Sequence, residues 1–376
     1  MNHRGIPSPA ALPVTLARMT TTALGIPMFG LRGAALSPAP DPARPRSPYL
    51  VDSHGRRAID LRVSLTDKCN LRCTYCMPAE GLDWLPGQEL LTDDELLRLI
   101  TIAVHRLGVT EIRFTGGEPL LRKGILGLVQ AVGRLDPRPE MSLTTNGIGF
   151  GRRAADFAAA GLNRVNVSLD TLRRDTFTQI TRRDRLADVL AALDGAVAAG
   201  LTPVKINAVL LRGINDHEAA DMLGFAIEHG YHLRFIEQMP LDAGHEWNRG
   251  VMVTADEIQA ALSQVFTLTP HREARAGAPA ELFDVDGGPG TVGIIASVTR
   301  PFCGDCDRTR LTADGQIRNC LFASGETDLR GLLRGGGTDE EIADLWRGAM
   351  WNKLPGHGIN DPSFLQPDRP MSAIGG

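Results

Sequence analysis

The sequence predicts an α/β fold: a partial (βα)6 barrel of parallel strands, followed by a smaller C-terminal subdomain. Three observations predict it. Short strand-like runs alternate about six times with helix-length stretches, which implies parallel strands joined by right-handed crossovers. Gly108, Gly161, Gly200 and Gly230 each close a helical stretch, at the left-handed position that ends helices. The polar segments GGEP, TTNG, SLD and EQMP all sit where a strand runs out into its loop. An open doubly wound sheet also accommodates six units, but active sites of (βα) barrels are built at those strand ends, and that placement favours the barrel.

The elements follow in order. Strand-like runs are AIDLRVSL (58–65), EIRFTGG (111–117), MSLTTNG (141–147), RVNVSLD (164–170), PVKINAVLL (203–211) and HLRFIEQMP (232–240). Between the first two, Thr92 and Glu95 form a capping box ahead of LLRLITIAVHRL. AADFAAAG, LADVLAALDGAVAAG and DHEAADMLGFAIEHG supply later helices. After about residue 245 the pattern changes. A helix with a second capping box (Thr254, Glu257) precedes β-prone FDVDGGPGTVGIIASV. RTRLTADGQIRNCLF reads as a hairpin turning at Asp314-Gly315, and DEEIADLWRGAMWNKL as a terminal helix. The expected organisation is an extension over 1–48, a barrel over 49–244 and a C-terminal subdomain over 245–376.

Residues 1–48 stand apart. They are rich in Pro, Ala and Arg, with no acidic residue before Asp41. Such a segment buries little and is expected to be disordered. An acid-poor, Arg-containing composition also fits an organelle transit peptide, although prolines at 7, 9, 13 and 27 oppose one long amphipathic helix.

Composition narrows the function classes. With 43% hydrophobic and 22% charged residues, the chain of 376 residues resembles an ordinary globular enzyme. Its 40 basic and 44 acidic residues are nearly balanced, so no polycation points to nucleic acid or an anionic membrane. No apolar run is long enough to span a bilayer. The 6 cysteines fall in two triplets, 69/73/76 and 303/306/320. Clustering in an otherwise cysteine-free chain points to metal in a reducing compartment, hence to the cytoplasm, with organelle targeting by residues 1–48 left open.

Three thiols are too few for a structural zinc site and too many for one disulfide. A cubane [4Fe–4S] cluster takes one thiolate per iron, so three cysteines leave one iron free for a small molecule. The competing reading is zinc with a remote fourth ligand, or cysteines that are merely buried. Near Cys306, Arg308 and Arg310 flank Thr309; on a strand both guanidiniums project to one face, suited to bidentate recognition of phosphate. Arg62, Arg113, Lys205 and Arg234 lie on otherwise mostly apolar strands, where a cation needs a partner. A polyphosphate in the barrel, or a neighbouring carboxylate, would be one.

The motif CNLRCTYC has the CxxxCxxC spacing of the radical S-adenosylmethionine (SAM) superfamily, with Tyr75 in the usual aromatic slot, and TGGEP (115–119) resembles that superfamily's second motif. Gly116 and Gly117 would let backbone approach the ligand closely. FCGDCDRTRLTADGQIRNCLF, a CxxC followed after 13 residues by Cys320, resembles the C-terminal cluster motif of the molybdenum-cofactor GTP 3′,8-cyclases. The resemblance covers residues 58–376. It implies a barrel of the radical SAM type with a C-terminal iron–sulfur subdomain and two [4Fe–4S] clusters, on Cys69, Cys73 and Cys76 and on Cys303, Cys306 and Cys320. SAM would bind the open iron of the first cluster and contact Tyr75, Gly117, Ser168 and Met239. GTP would contact Arg62, Arg113, Thr144, Lys205, Arg308, Thr309 and Arg310, with Arg234 another basic position of the pocket and guanine on the second cluster.

The same resemblance implies the reaction. A 5′-deoxyadenosyl radical from SAM takes the hydrogen from C3′ of GTP, and the C3′ radical attacks C8 of guanine. The product is (8S)-3′,8-cyclo-7,8-dihydroguanosine 5′-triphosphate. A flavodoxin- or ferredoxin-like electron donor is implied by analogy, and a homodimer is compatible with the sequence. The terminal Gly375-Gly376 resembles a double-glycine tail that enters the active site; read alone, such glycines suggest disorder. Two positions depart from the family pattern. Glu111 stands where Lys is frequent, positioned to pair off Arg113, and Asp307 stands where Asn is frequent. The rival readings are another radical SAM enzyme with an auxiliary cluster, such as a peptide-modifying one, and a zinc-containing binding or regulatory module.

Overall fold

The computed structural model describes Met1, residues 41–272 and residues 277–375. Most of the Pro/Ala/Arg-rich extension, and the terminal Gly376, lie outside the described residues.

A short antiparallel pair, β1 (Leu50–Val51) with β2 (Arg57–Ala58), precedes the main sheet. The predicted parallel strands follow as β3 (Asp60–Ser64), β4 (Glu111–Thr115), β5 (Glu140–Thr145), β6 (Arg164–Ser168), β7 (Lys205–Val209) and β8 (His232–Ile236). Each lies within its predicted run except β5, which starts one residue earlier. The later strands are β9 (Leu268–Pro270), β10 (Glu281–Val285), β11 (Thr291–Ile295), β12 (Arg308–Leu311), β13 (Gln316–Arg318) and β14 (Thr327–Asp328). All but β1 and β2 join one 12-stranded sheet in the order β14-β13-β12-β3-β4-β5-β6-β7-β8-β11-β10-β9.

The parallel run is longer than the sequence suggested. Residues beyond 245 extend it at both ends: β11 pairs in parallel with β8, and β12 in parallel with β3. Hydrogen bonding therefore crosses the expected boundary at 244/245 without a break in the sheet.

Strand alternation sorts the side chains. Leu61, Val63, Ile112, Phe114, Val165, Val167, Ile206, Ala208, Leu233 and Phe235 join one core with helix residues such as Leu96, Leu99 and Ile100. The intervening positions, among them Arg62, Arg113, Thr144, Ser168, Asn207 and Arg234, line a cavity on the other face of the sheet. Local signals set the helix ends. Thr92 Oγ1 accepts from the Glu95 amide at 3.1 Å while Glu95 Oε2 accepts from the Thr92 amide at 2.8 Å, which starts the helix Asp93–Leu107. Gly108 ends it at φ 71°. The predicted hairpin is present, with Leu311 opposite Ile317 and Gly315 at φ 80°.

One buried carboxylate fastens the β8 end of the barrel. Glu237, 0% exposed, accepts from the amides of Ala255 (2.8 Å), Val298 (2.8 Å) and Thr299 (2.9 Å), and from the Thr299 hydroxyl. It thereby ties the end of β8 to the helix Ala255–Ser263 and to the turn after β11. Glu237→Ala leaves those donors buried without an acceptor and is expected to cost about 3 kcal/mol or more, since bonds to a charged group contribute about 1.5–3 kcal/mol each. Urea unfolding of the variant beside the wild-type protein measures this; an unchanged midpoint would contradict it.

Candidate active site

The loop after β3 carries the first cysteine triplet. Arg182 holds this loop in shape, donating to the carbonyls of Arg72 (3.0 Å) and Met77 (2.9 Å). Cys69, Cys73 and Cys76 are free thiols on the cavity wall. Burial, then Asp170 and the other two sulfurs, pushes Cys73 well above the usual thiol range. Burial and Cys69 push Cys76 up to about 12. Thiols so disposed repel one another when ionised, and a bound metal group supplies the positive charge that makes them thiolates. Among the described residues no three His, Cys, Asp or Glu side chains converge to hold one metal ion. A cluster with a different iron for each sulfur fits this donor set better than one zinc ion.

The GGEP loop lies directly on the cysteine loop. Gly117 N–H donates to Thr66 O at 2.8 Å and Glu118 N–H to Lys68 O at 2.7 Å. A Cβ at Gly117 would stand 2.4 Å from Lys68 O, and one at Gly116, where φ is 135°, 2.4 Å from Thr66 O. These glycines thus permit a close approach to the cysteine loop's own backbone, and both also line the cavity where the ligand contact is expected. Glu118 then accepts from Leu120 N–H (3.0 Å), the Thr145 hydroxyl (2.7 Å) and Asn146 N–H (2.7 Å). Asn146 in turn donates to Asn70 at 2.7 Å, so three loops interlock around Cys69.

Tyr75, Gly117, Ser168 and Met239 all line the same cavity, from four different strand-to-loop junctions. The Tyr75 hydroxyl donates to Asp170 Oδ2 at 2.8 Å. Burial raises Asp170 to about 6. Asn207 Oδ1 is buried on this wall without a hydrogen-bond partner, a free acceptor for a bound ligand. Such a polar, glycine-edged wall beside three thiols fits SAM.

The second triplet lies in the turns before β12 and after β13; its sequence neighbours Phe302, Arg308 and Leu321 line the cavity, and its own cysteines do not. Cys303 and Cys306 bracket a short turn closed by Cys306 N–H to Cys303 O at 3.2 Å, and Cys320 follows β13. Burial raises Cys303. Cys306 feels the same burial, but Arg308 and Lys353 outweigh it and bring the thiol down to about 7. Because β12 pairs with β3, both cysteine loops are attached to adjacent strands.

Beside the first triplet the cavity wall is cationic. Arg62, Arg113, Thr144, Arg234, Arg308 and Arg310 line it. Asp60 partners Arg62 at 2.9 Å and Arg113 at 3.9 Å; the guanidiniums outweigh burial and hold its carboxyl down to about 2. Arg310 donates to the carbonyl of Gly375. Burial, Arg62 and Arg308 all press against its charge, yet a guanidinium stays protonated in proteins, so the site calls for an anion. Arg308 donates to Gly277 O at 3.3 Å and lies over the Phe302 ring. Guanidiniums concentrated around one carboxylate fit a polyphosphate.

Lys205, Thr309 and Glu111 lie differently from expectation. Lys205 is half-buried outside the cavity wall; burial, Arg234, Arg164 and Arg113 lower it to about 7. Thr309 turns its hydroxyl away from the cavity, where it accepts from Trp346 Nε1 at 3.0 Å. Adjacent strand residues face opposite ways, so the parity that puts Arg308 and Arg310 in the cavity puts Thr309 out of it. Glu111 pairs with Arg164 at 3.1 Å rather than with Arg113, leaving Arg113 to Asp60 and to Ser142 (3.2 Å). Asp307 lies 3.5 Å from Arg308.

The tail is ordered as far as Gly375. The Ser372 backbone lies beside the Cys76 thiol and favours its ionised form, Met371 N–H donates to Leu241 O at 2.9 Å, and Ile374 is fully buried. A Cβ on Gly375 would lie 2.7 Å from Thr115 Cγ2. The expectation of a disordered tail, drawn from its composition alone, gives way to a plug spanning from the first triplet to Arg310. Gly376 lies outside the described residues. No helix is long and apolar enough to cross a membrane, among the described residues.

Comparison with known proteins bears on this geometry. Residues 63–226 match the model of the radical SAM superfamily, and residues 231–359 that of Molybdenum Cofactor Synthesis C. A GTP 3′,8-cyclase of Streptomyces coelicolor is 65% identical over 328 residues, covering 87% of this chain and 96% of that protein. A GTP 3′,8-cyclase of Mycobacterium sp. (strain KMS) is 61% identical over 358 residues, covering 95% of this chain and 100% of that protein. Among solved structures, Streptococcus suis SuiB bound to S-adenosylmethionine superposes with a TM-score of 0.55 at 14% identity, covering 81% of this chain and 68% of SuiB. That likeness concerns the fold.

Proposed function

The chain belongs to the GTP 3′,8-cyclase family of radical SAM enzymes, and from that premise we propose how its residues divide the work. The enzyme converts GTP to (8S)-3′,8-cyclo-7,8-dihydroguanosine 5′-triphosphate, the first step of molybdenum cofactor synthesis, using SAM and iron–sulfur clusters. The observation that carries the assignment of residues is one cavity walled by three thiols and by Arg62, Arg113, Arg308 and Arg310, with a second triplet in the turns that flank β12 and β13.

When bound, a reduced cluster and SAM supply one electron and a 5′-deoxyadenosyl radical able to take hydrogen from the ribose C3′. The protein contributes placement. Cys69, Cys73 and Cys76 would hold the first cluster, and Tyr75, Gly117, Ser168 and Met239 border the volume beside these thiols where SAM would bind. Cys303, Cys306 and Cys320 would hold the second cluster, which would supply a site for the guanine. Arg62, Arg113, Arg308 and Arg310 bind the triphosphate, with Thr144 beside them, while Arg234 and, from outside the cavity wall, Lys205 add to the field. Thr309 acts through Trp346, which fixes β12 and hence its flanking arginines. The Met371–Gly375 plug covers the reacting atoms and excludes water. Holding C3′ and C8 in one orientation removes much of the entropic barrier to ring closure.

The test is anaerobic incubation with SAM, dithionite and GTP deuterated at C3′. The label is expected in 5′-deoxyadenosine; label retained in the nucleotide would sink the assignment of C3′ as the donor position.

Lys205 gives a pH signature. Its folded-state value of about 7 lies below the ordinary 10.5, so between those values the unfolded chain holds the extra proton, and free-enzyme stability rises with pH through that window. A bound triphosphate favours the ammonium and raises the value again. GTP binding at pH 8 is therefore expected to take up a proton. Calorimetry in buffers of differing ionisation enthalpy measures it, and Lys205→Met should remove the uptake.

We also infer a flavodoxin- or ferredoxin-like electron donor and a reducing, cytoplasmic setting, supported by six free cysteines.

A further inference from the structure

We propose that Lys353 is a positioning residue for the second cluster, its ammonium donating a hydrogen bond to the Cys306 sulfur and making that cluster easier to reduce. The proposal rests on the assignment of Cys303, Cys306 and Cys320 as cluster ligands.

Lys353 lies just beyond the helix Asp339–Trp351 and is 3% exposed. Its Nζ donates to Cys306 O at 3.1 Å, Cys306 Sγ at 3.2 Å and Arg308 O at 2.9 Å, which uses all three ammonium hydrogens. It forms no ion pair with a carboxylate among the described residues. A buried ammonium without a counter-charge is costly, and the anion within its reach is the Cys306 sulfur as a thiolate. The arrangement makes electrostatic sense when that sulfur is a metal ligand.

The rest of the loop supports the same role. The segment from Lys353 to His357 borders two cysteines of the triplet: Lys353 bonds the Cys306 sulfur, and the His357 backbone lies beside Cys303. Arg56 clamps the segment there. Its guanidinium donates to Cys303 O (2.6 Å), Leu354 O (2.6 Å) and Pro355 O (3.0 Å), and is itself held by Asp52 at 2.5 Å. The first triplet is lined otherwise. The Cys69 sulfur receives the Leu71 amide at 3.4 Å and the Asn146 carboxamide at 3.9 Å, both neutral donors, and the nearby Arg72 guanidinium donates to the Cys69 carbonyl (2.7 Å) rather than to the sulfur.

Hydrogen bonds and positive charge at the sulfurs stabilise the more negative, reduced form of a cluster. The two centres thus differ in the charge set beside their ligands, and the second is the better electron acceptor. An iron drained of electron density in this way also takes a purine nitrogen or oxygen more readily.

The experiment uses the full chain with Cys69, Cys73 and Cys76 replaced by alanine, so that only the second cluster is reconstituted, and compares Lys353→Gln and Lys353→Arg within it. Iron is quantified first: a parent that binds none overturns the cluster assignment itself. Spectroelectrochemical titration then reads the inference. At the potential that half-reduces the parent, the Gln variant is expected to show about a tenfold lower ratio of reduced to oxidised cluster, equivalent to about 59 mV for a one-electron couple. The Arg variant, which keeps the charge, should stay within about threefold. Unchanged potential in the Gln variant, or equal shifts in both, overturns the proposal. So does loss of the cluster from both variants, because Lys353 would then be a packing residue. Retention of the cluster by Arg alone, at the parent potential, supports it.

Discussion

Replacing Arg308 and Arg310 together with alanine is expected to abolish measurable cyclisation while leaving the first cluster's visible spectrum intact. Both guanidiniums are buried, at 7% and 6% exposure, on the cavity face of β12. Each bond to a charged partner contributes about 1.5–3 kcal/mol, so losing two corresponds to about 10²–10⁴-fold in rate or affinity. Arg310 also holds the Gly375 carbonyl, so its loss loosens the plug and adds to the effect. Product formation and GTP affinity should fall together, whereas slow GTP-independent SAM cleavage should persist. The paired lysine variant should recover only part, because an ammonium cannot reproduce a planar fork. If both clusters were lost from the alanine variant, these arginines would be structural and the substrate role refuted.

The second large effect concerns the first triplet. Cys73→Ala, or alanine at Cys69 or Cys76, is expected to reduce 5′-deoxyadenosine formation to background. Iron at the second triplet should remain. Cys320→Ala is the reciprocal case: SAM cleavage survives while cyclisation stops. Iron and zinc analysis of the anaerobically purified protein distinguishes this from a zinc module, since a colourless protein with zinc and no iron would end the radical reading.

How much of this was legible in the sequence depends on whether the signal is local. The six central strands were legible because apolar and polar residues alternate along them, and the polar set proved to face the cavity. The capping boxes and helix-ending glycines act within one turn and were read correctly. Pairing of β12 with β3 was not legible, because nothing near Arg308 names Asp60 as its partner strand. Asp60 itself was missed: an acid opening AIDLRVSL reads as a strand start, not as the carboxylate between two arginines. Lys353 was hidden similarly, since WNKL at a helix end is an ordinary exposed position until the second triplet folds against it. The orientation of Thr309 could have been found by applying strand parity to the residue between two inward arginines.

The parallel pairing of Arg308–Leu311 with Asp60–Val63 has a consequence for how the enzyme is made. While the ribosome synthesises residues 65–307, the first barrel strand has β4 on one side and an open edge on the other. Its proper neighbour emerges only in the last fifth of the chain. Closure over so long a separation is slow and exposes the edge to wrong partners. A fragment ending near residue 244 would keep that edge bare and is a candidate for aggregation. The second triplet, completed only at Cys320, can likewise be loaded with metal only late in synthesis.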